Sequence, residues 1–466
     1  MAETITGEPA TQPAQMDDVD DVRVVRDLVS VAIAAGLVAA AIVVPLVVDP
    51  SLMARIFVRT PPLLASWLPH TGPGTIPAIV LAVAAVVVMP AAAQRLSFGA
   101  LTVVTWMWAL GWTMSLALVD GWRRGVAGRL VRPDEYLAEV PGVHGVGEML
   151  RTFSSRILDG QPDSWTTHVS GHPPGALLTF VTLDRIGLGG GAWAAIWCVV
   201  VGTSAAAAVL ITVRRIGRED WARRCAPYLV LFPGWVWVGV SADGYFMGVA
   251  AWGVCLIAVS ATAFGGRAVA AAAGAGLLLG FAIFLNYGLV LIGAVVLAVL
   301  IATRTVRPVP WACAAALVVV GAFWAAGFWW FDGYTLVVDR YYQGIASERP
   351  FAYWGWANLA ATLCALGPAV AAGLGRLGRR GVWQCAVREW RLWRYTPVLL
   401  VVGGLVAILA ADLSALSKAE TERIWLPFSL WVLVSTGLLP RRYQRFWLIA
   451  QAAVALVINH LLLTYW

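Results

Sequence analysis

Residues 191–213 read GAWAAIWCVVVGTSAAAAVLITV, and Arg214-Arg215 close the run. No charge interrupts it. A run of about 20 apolar residues is what the ~30 Å hydrocarbon core of a bilayer requires. Backbone groups in lipid must satisfy one another, so such a run is a helix. The stretch does not alternate apolar with polar residues, and it is too long for a barrel strand. Working outward in both directions, similar runs appear at 28–48, 76–93, 99–119, 226–240, 246–264, 268–285, 287–303, 310–331, 353–374, 396–411, 424–439 and 447–464. The expectation is an all-α, polytopic membrane protein with about thirteen transmembrane helices.

Composition agrees. Hydrophobic residues make up 60% of the chain and charged residues 13%, with a mean hydropathy of +0.76. A soluble domain carries about 25% charge, so most of this surface must face lipid. The net charge of +7 comes from arginine, since Lys418 is the single lysine. The arginines gather at helix ends and not along one face, so nucleic acid is not an expected partner. The cysteines Cys198, Cys225, Cys255, Cys313, Cys364 and Cys385 show no CxxC spacing. They read as small buried hydrophobes. Many of the 25 tryptophans sit at run ends, as aromatic belts do. Residues 1–27 are polar and acidic and read as a disordered cytosolic tail before an uncleaved first helix.

Orientation follows from the basic loops. Arg214–Arg224 holds five arginines, Arg376–Arg394 six and Arg441–Arg445 three. Putting all three in the cytosol requires that 174–187 does not cross. That stretch carries Asp184 and Arg185 and suits an interfacial helix. The N-terminus is then inside, the C-terminus outside, and the long polar segment 120–173 outside with most of the acids.

That segment holds the candidate chemistry. Asp120 stands at the end of a span, at headgroup level. Arg132-Pro-Asp-Glu-Tyr136 follows, with Asp134 and Glu135 adjacent, and the segment ends in His168-Val-Ser-Gly-His-Pro-Pro-Gly175. Pro173-Pro174 forbids helix through His172 and opens the next helix at its first turn. Ser241-Ala-Asp243 lies between two spans, and Glu422-Arg423 enters another. Arg340 and Arg349 flank an aromatic stretch. Arginine suits bidentate phosphate contact.

These motifs together resemble the polyprenyl-phosphate-dependent GT-C glycosyltransferases. Protein O-mannosyltransferases have a similar His-Pro-Pro-Leu-Gly segment, and lipid A aminoarabinose transferases a Lys-Pro-Pro-Leu version. Actinobacterial GT-C-like membrane proteins, of the mycobacterial methylthioxylosyltransferase type that decorates lipoarabinomannan, carry Gly-His-Pro-Pro-Gly, Ser-Ala-Asp and Arg-Ile-Trp-Leu-Pro. These motifs stand here at Gly171–Gly175, Ser241–Asp243 and Arg423–Pro427. The likeness covers most of 99–440. It departs from the family in placing the acidic loop after the third span and not the first.

The resemblance implies one GT-C-like transmembrane domain over 28–466, an outer catalytic loop at 120–173 and an interfacial helix at 174–187. It implies a multi-pass plasma-membrane enzyme of the cell envelope, working on the extracytoplasmic face. The donor is a sugar on polyprenyl phosphate: a pentose such as methylthioxylose, or mannose or arabinose. The acceptor is an outer-face glycan or lipoglycan, within the surrounding membrane lipid. A carboxylate removes the acceptor proton. Asp120 is preferred because a helix end holds position, with Asp134 and Glu135 as the rival pair. His168, His172, Asp243, Glu422, Arg423 and Arg340 are candidate substrate-binding residues, with Arg423 on the donor phosphate. No metal ligand set is assigned. The cofactor stays open, because some GT-C enzymes use a divalent cation and others do not. The alternatives are a secondary transporter or a non-catalytic lipid-carrier translocase. Transporters place charges or broken helices at the bilayer midplane, and the span interiors here are nearly free of charge.

Overall fold

The computed structural model describes residues 24–378 and 396–465. The acidic tail before Val24, most of the Arg376–Arg394 loop and Cys385 lie outside the described residues. The described residues are mostly helical, with one short strand pair. Eight helices are long and apolar enough to cross a membrane. The number is nine if the pair Phe351–Leu366 and Pro368–Leu377, bent by 112°, counts as one span.

The long unbroken runs form as expected: Val24–Val48, Thr75–Arg95, Phe98–Asp120, Gly191–Arg215, Ala242–Thr262, Gly265–Leu285, Pro308–Ala325 and Thr396–Leu413. The other expected spans need correction. The run at 226–240 is not one helix. Glu219–Val230 ends before Pro233, and only the turn Trp235–Val238 follows. Pro368 opens a new helix after Gly367 (φ +79°) and bends the 353–374 run. Helix over 310–331 stops at Ala325, and a separate amphipathic helix, Trp330–Gln343, begins beyond it. The runs at 287–303 and 424–439 give shorter apolar helical stretches, Tyr287–Thr303 and Leu426–Leu438. The last run ends as helix at Leu461, and Leu462–Thr464 pairs antiparallel with Ala65–Trp67.

Burial ranks the helices. Ala242–Thr262 has 83% of its most apolar window buried and forms the centre, whereas Val24–Val48 has 11% and lies at the edge. Lipid supplies no hydrophobic drive between spans, so close contact depends on small residues. A Cβ on Gly248 would lie 2.3 Å from the Val201 carbonyl oxygen, so only glycine lets Ala242–Thr262 lie against Gly191–Arg215. Cys198, Cys225 and Cys255 are buried as expected, but Cys313 is exposed on a peripheral span and corrects that reading.

Helix ends collect into two faces. On one, Arg376 donates to Asp27 at 2.8 Å, and Arg223 caps the carbonyls of Ala93 and Leu96 at 2.8 and 3.0 Å. Arg441 donates to Gln94 at 3.0 Å on the same face. The other face gathers Asp120, Glu135, Asp243 and Glu420. It is closed by residues 49–74 and by the C-terminal strand, whose Thr464 carbonyl accepts from Arg129 at 2.7 Å. The helix Pro174–Arg185 belongs to this face, for Arg185 donates to the His144 carbonyl at 3.0 Å.

Candidate active site

The segment 120–173 is folded, not loose. It carries the π-helical turns Trp122–Ala127, the helix Val146–Thr152 and the turn Thr167–Ser170. Thr166 N–H donates to Glu139, and His168 N–H donates to the Asp134 carbonyl at 3.0 Å. The second bond draws the Arg-Pro-Asp-Glu-Tyr stretch against the histidine motif. Gly175 then seats the following helix: a Cβ there would lie 2.5 Å from the Phe284 carbonyl oxygen.

Two carboxylate groups result. The first is Asp120. Its Oδ1 faces His70 Nε2 at 3.0 Å and Arg124 at 2.9 Å, and its Oδ2 accepts from Arg129 at 2.8 Å. Its side chain is 6% exposed. Two arginines occupy both oxygens, and the His70 ring lies alongside. This is an anchor joining the end of a span to residues 70 and 129.

The second group is built on Glu135, 5% exposed. His168 Nε2 stands 3.8 Å from both Asp134 Oδ2 and Glu135 Oε1. Glu135 Oε2 is buried and has no hydrogen-bond partner among the described residues. Burial pushes the Glu135 carboxyl up to about 7. Arg423 pulls it down, while Asp134 and Asp243 push it further up. Burial also lowers His168 and His172, as does the positive charge of Arg423. Both imidazoles are therefore neutral at pH 7. His172 Nδ1 donates to the His168 carbonyl at 2.8 Å, which leaves Nε2 as an acceptor. Tyr136 holds the two rings, edge-on to His168 at 6.1 Å and to His172 at 5.6 Å.

Arg423 completes this group. Its guanidinium donates to Asp243 at 2.6 Å and to Glu420 at 2.9 Å. Glu420 also lies 3.7 Å from Arg349. The segment carrying these residues is fastened by buried Asn358, which donates to Asp412 and to the Ser417 carbonyl and accepts from Ala419 N–H. Glu422 is buried next door. Its Oε1 accepts from Leu64 N–H at 3.1 Å, and burial pushes its carboxyl up to about 7.

The structure thus brings Asp134, Glu135, His168, His172, Asp243 and Arg423 together, with Glu422 beside them. It places Asp120 in its own cluster. Arg340 stands apart, ion-paired with Asp159 at 2.7 Å, where it ties Trp330–Gln343 to the loop. Sequence reasoning missed His70, which reaches Asp120 from a distant loop, and Arg129, nine residues along the chain from it. It quoted Tyr136 without giving it a role. Among the described residues no group of three or more His, Cys, Asp or Glu side chains is arranged to hold a metal ion.

No protein-family model matches this sequence, and no curated protein does. Among solved structures, the crystal structure of ArnT from Cupriavidus metallidurans in the apo state is similar, at 15% identity and a TM-score of 0.43. The match covers 73% of this chain and 58% of that one, less than two thirds of its length.

Proposed function

We propose that this multi-pass membrane protein is a glycosyltransferase of the GT-C type, using a sugar carried on polyprenyl phosphate. The finer reading is the methylthioxylosyltransferase type: transfer of a pentose such as methylthioxylose, or of mannose or arabinose, to a glycan or lipoglycan. The acidic face is then the extracytoplasmic one. The observation that carries the reading is Glu135, a buried carboxylate with an unpartnered oxygen, titrating near neutrality in the same group as a buried arginine.

The chemistry follows from that pairing. A general base works best with a pKa near the working pH. Glu135 accepts the proton of an acceptor hydroxyl as its oxygen bonds to the anomeric carbon. The bond from that carbon to the phosphate oxygen breaks, and polyprenyl phosphate leaves with its charge increased. Arg423 is the cation placed to meet that charge. Neutral His172 can accept a sugar hydroxyl, and Asp134 tunes the base. Asp120, the candidate by its place at a helix end, has both oxygens occupied by Arg124 and Arg129, and Glu135 is the base in this reading.

Membranes containing the protein, incubated with radiolabelled polyprenyl-phosphate pentose and hexose donors, test the proposal. Label moving from lipid to glycan supports it. Retention of every label on the lipid, with the protein shown to be folded, overturns it.

A further inference from the structure

Three non-glycine residues in the short stretch 415–420 hold left-handed backbone: Ala415 (φ 56°), Ala419 (φ 79°) and Glu420 (φ 66°). Side chains disfavour that region, and it persists only where surroundings impose it. The end of this stretch places one carboxylate between two buried guanidinium groups. Glu420 lies 2.9 Å from Arg423 and 3.7 Å from Arg349. Arg349 is 5% exposed and Arg423 likewise. Beside them is Lys418, 8% exposed, whose ammonium donates to the Ala346 carbonyl at 2.9 Å. The two arginines meet on the one Glu420 carboxylate, on the face that carries Glu135, while the Lys418 carbonyl accepts from Arg349 at 2.7 Å.

We propose that Arg349 and Arg423 form a phosphate-binding site, and that Glu420 occupies it as an internal stand-in until a phosphate-bearing lipid displaces it. This deepens the donor reading above and rests on it for the identity of the lipid. The chemistry supports the exchange. A carboxylate and a phosphate both accept the planar fork of arginine, and a phosphate offers more oxygens and more charge to a second arginine. An empty site would leave two buried guanidinium groups with Asp243 as their remaining carboxylate, which is costly. The strained backbone at Ala419 and Glu420 weakens the internal contact, so the exchange need not oppose a relaxed loop. Asp243 remains on Arg423 throughout and keeps the guanidinium oriented while Glu420 leaves.

The test is direct binding of a fluorescent short-chain polyprenyl phosphate to the purified full-length protein in nanodiscs, with the uncharged polyprenol as control. Wild type should bind the phosphate and not the prenol. Glu420→Gln removes the competing charge and should tighten phosphate binding about tenfold. Ala419→Gly relieves strain in the occupied state and should weaken it about fivefold, the equivalent of left-handed strain at one residue. The two opposed shifts exclude a merely structural effect. Should Glu420→Gln fail to fold, hydrogen exchange on wild type decides. The amides of 413–421 should exchange faster with the phosphate lipid and be unchanged by the prenol. Unchanged or weaker binding in Glu420→Gln, or exchange indifferent to the phosphate, overturns the proposal. Neither readout needs sugar transfer. A protein that binds the lipid as described but transfers no sugar would sink the glycosyltransferase reading and leave this site standing.

Discussion

Asp120 and Glu135 both sit on the acidic face and both are nearly buried, yet they are prepared for different work. Asp120 is surrounded by Arg124, Arg129 and His70, and both oxygens are taken. Glu135 has one oxygen near His168 at 3.8 Å and another with no partner among the described residues. Burial costs a carboxylate its hydration. Around Asp120 that cost is offset by partners; around Glu135 it appears as a carboxyl raised to about 7. The base we propose rests on that contrast: of the two, Glu135 alone has an open oxygen, and its carboxyl is raised toward the working pH.

Four experiments would break or sharpen that contrast. The largest effect is expected for Glu135→Gln, which is nearly isosteric but cannot take a proton. Turnover should fall by ~10²–10⁴, while polyprenyl-phosphate binding stays within a few-fold of wild type. Loss of binding together with turnover would assign Glu135 to the ground state. Next comes Asp243→Ala, which leaves Arg423 buried with one carboxylate fewer. Removing one partner of a buried pair costs about 3–5 kcal/mol. Thermal unfolding in detergent should register a clear drop, and an unchanged midpoint would contradict the pair's role.

A smaller loss is expected for Asp120→Asn. It weakens charge-assisted hydrogen bonds to Arg124 and Arg129, so stability should fall by about 1.5–3 kcal/mol while turnover per folded molecule is largely kept. Turnover collapse at full stability would return the base to Asp120. The smallest effect is a shift in pH dependence. Activity should rise through an apparent pKa of about 7 as Glu135 loses its proton, and level off above it. Asp134 raises that carboxyl and Arg132 lowers it. Asp134→Asn should therefore move the rising limb to lower pH, and Arg132→Gln to higher pH. Shifts of the opposite sign would mean that another group titrates in the profile.

The sequence was legible where one physical rule acts alone. Unbroken apolar runs such as 191–213 became single helices because length and hydropathy decide that outcome in lipid. The runs at 226–240 and 353–374 misled because a Pro233 or a Gly367-Pro368 step breaks a helix without lowering its hydropathy. Locally encoded site chemistry was also readable: Asp134, Glu135, His168 and His172 lie in one loop, and Asp243 and Arg423 stand at run ends. The rest depends on partners brought from afar. Nothing near Asp120 announces that His70, from a distant loop, will lie 3.0 Å from it, and nothing near Arg340 announces Asp159. Glu420 is adjacent to Arg423 in sequence, but its place beside Arg349 needs a left-handed turn that no composition rule predicts.

Chemical rescue tests the central claim most directly. Glu135→Ala and Asp120→Ala remove each carboxylate and leave space for a small acid. Transfer from polyprenyl-phosphate sugar is measured for both, with and without added formate, at pH 8. The account predicts that formate restores part of the turnover in Glu135→Ala and none in Asp120→Ala. Rescue of Asp120→Ala, with Glu135→Ala active without formate, would contradict it.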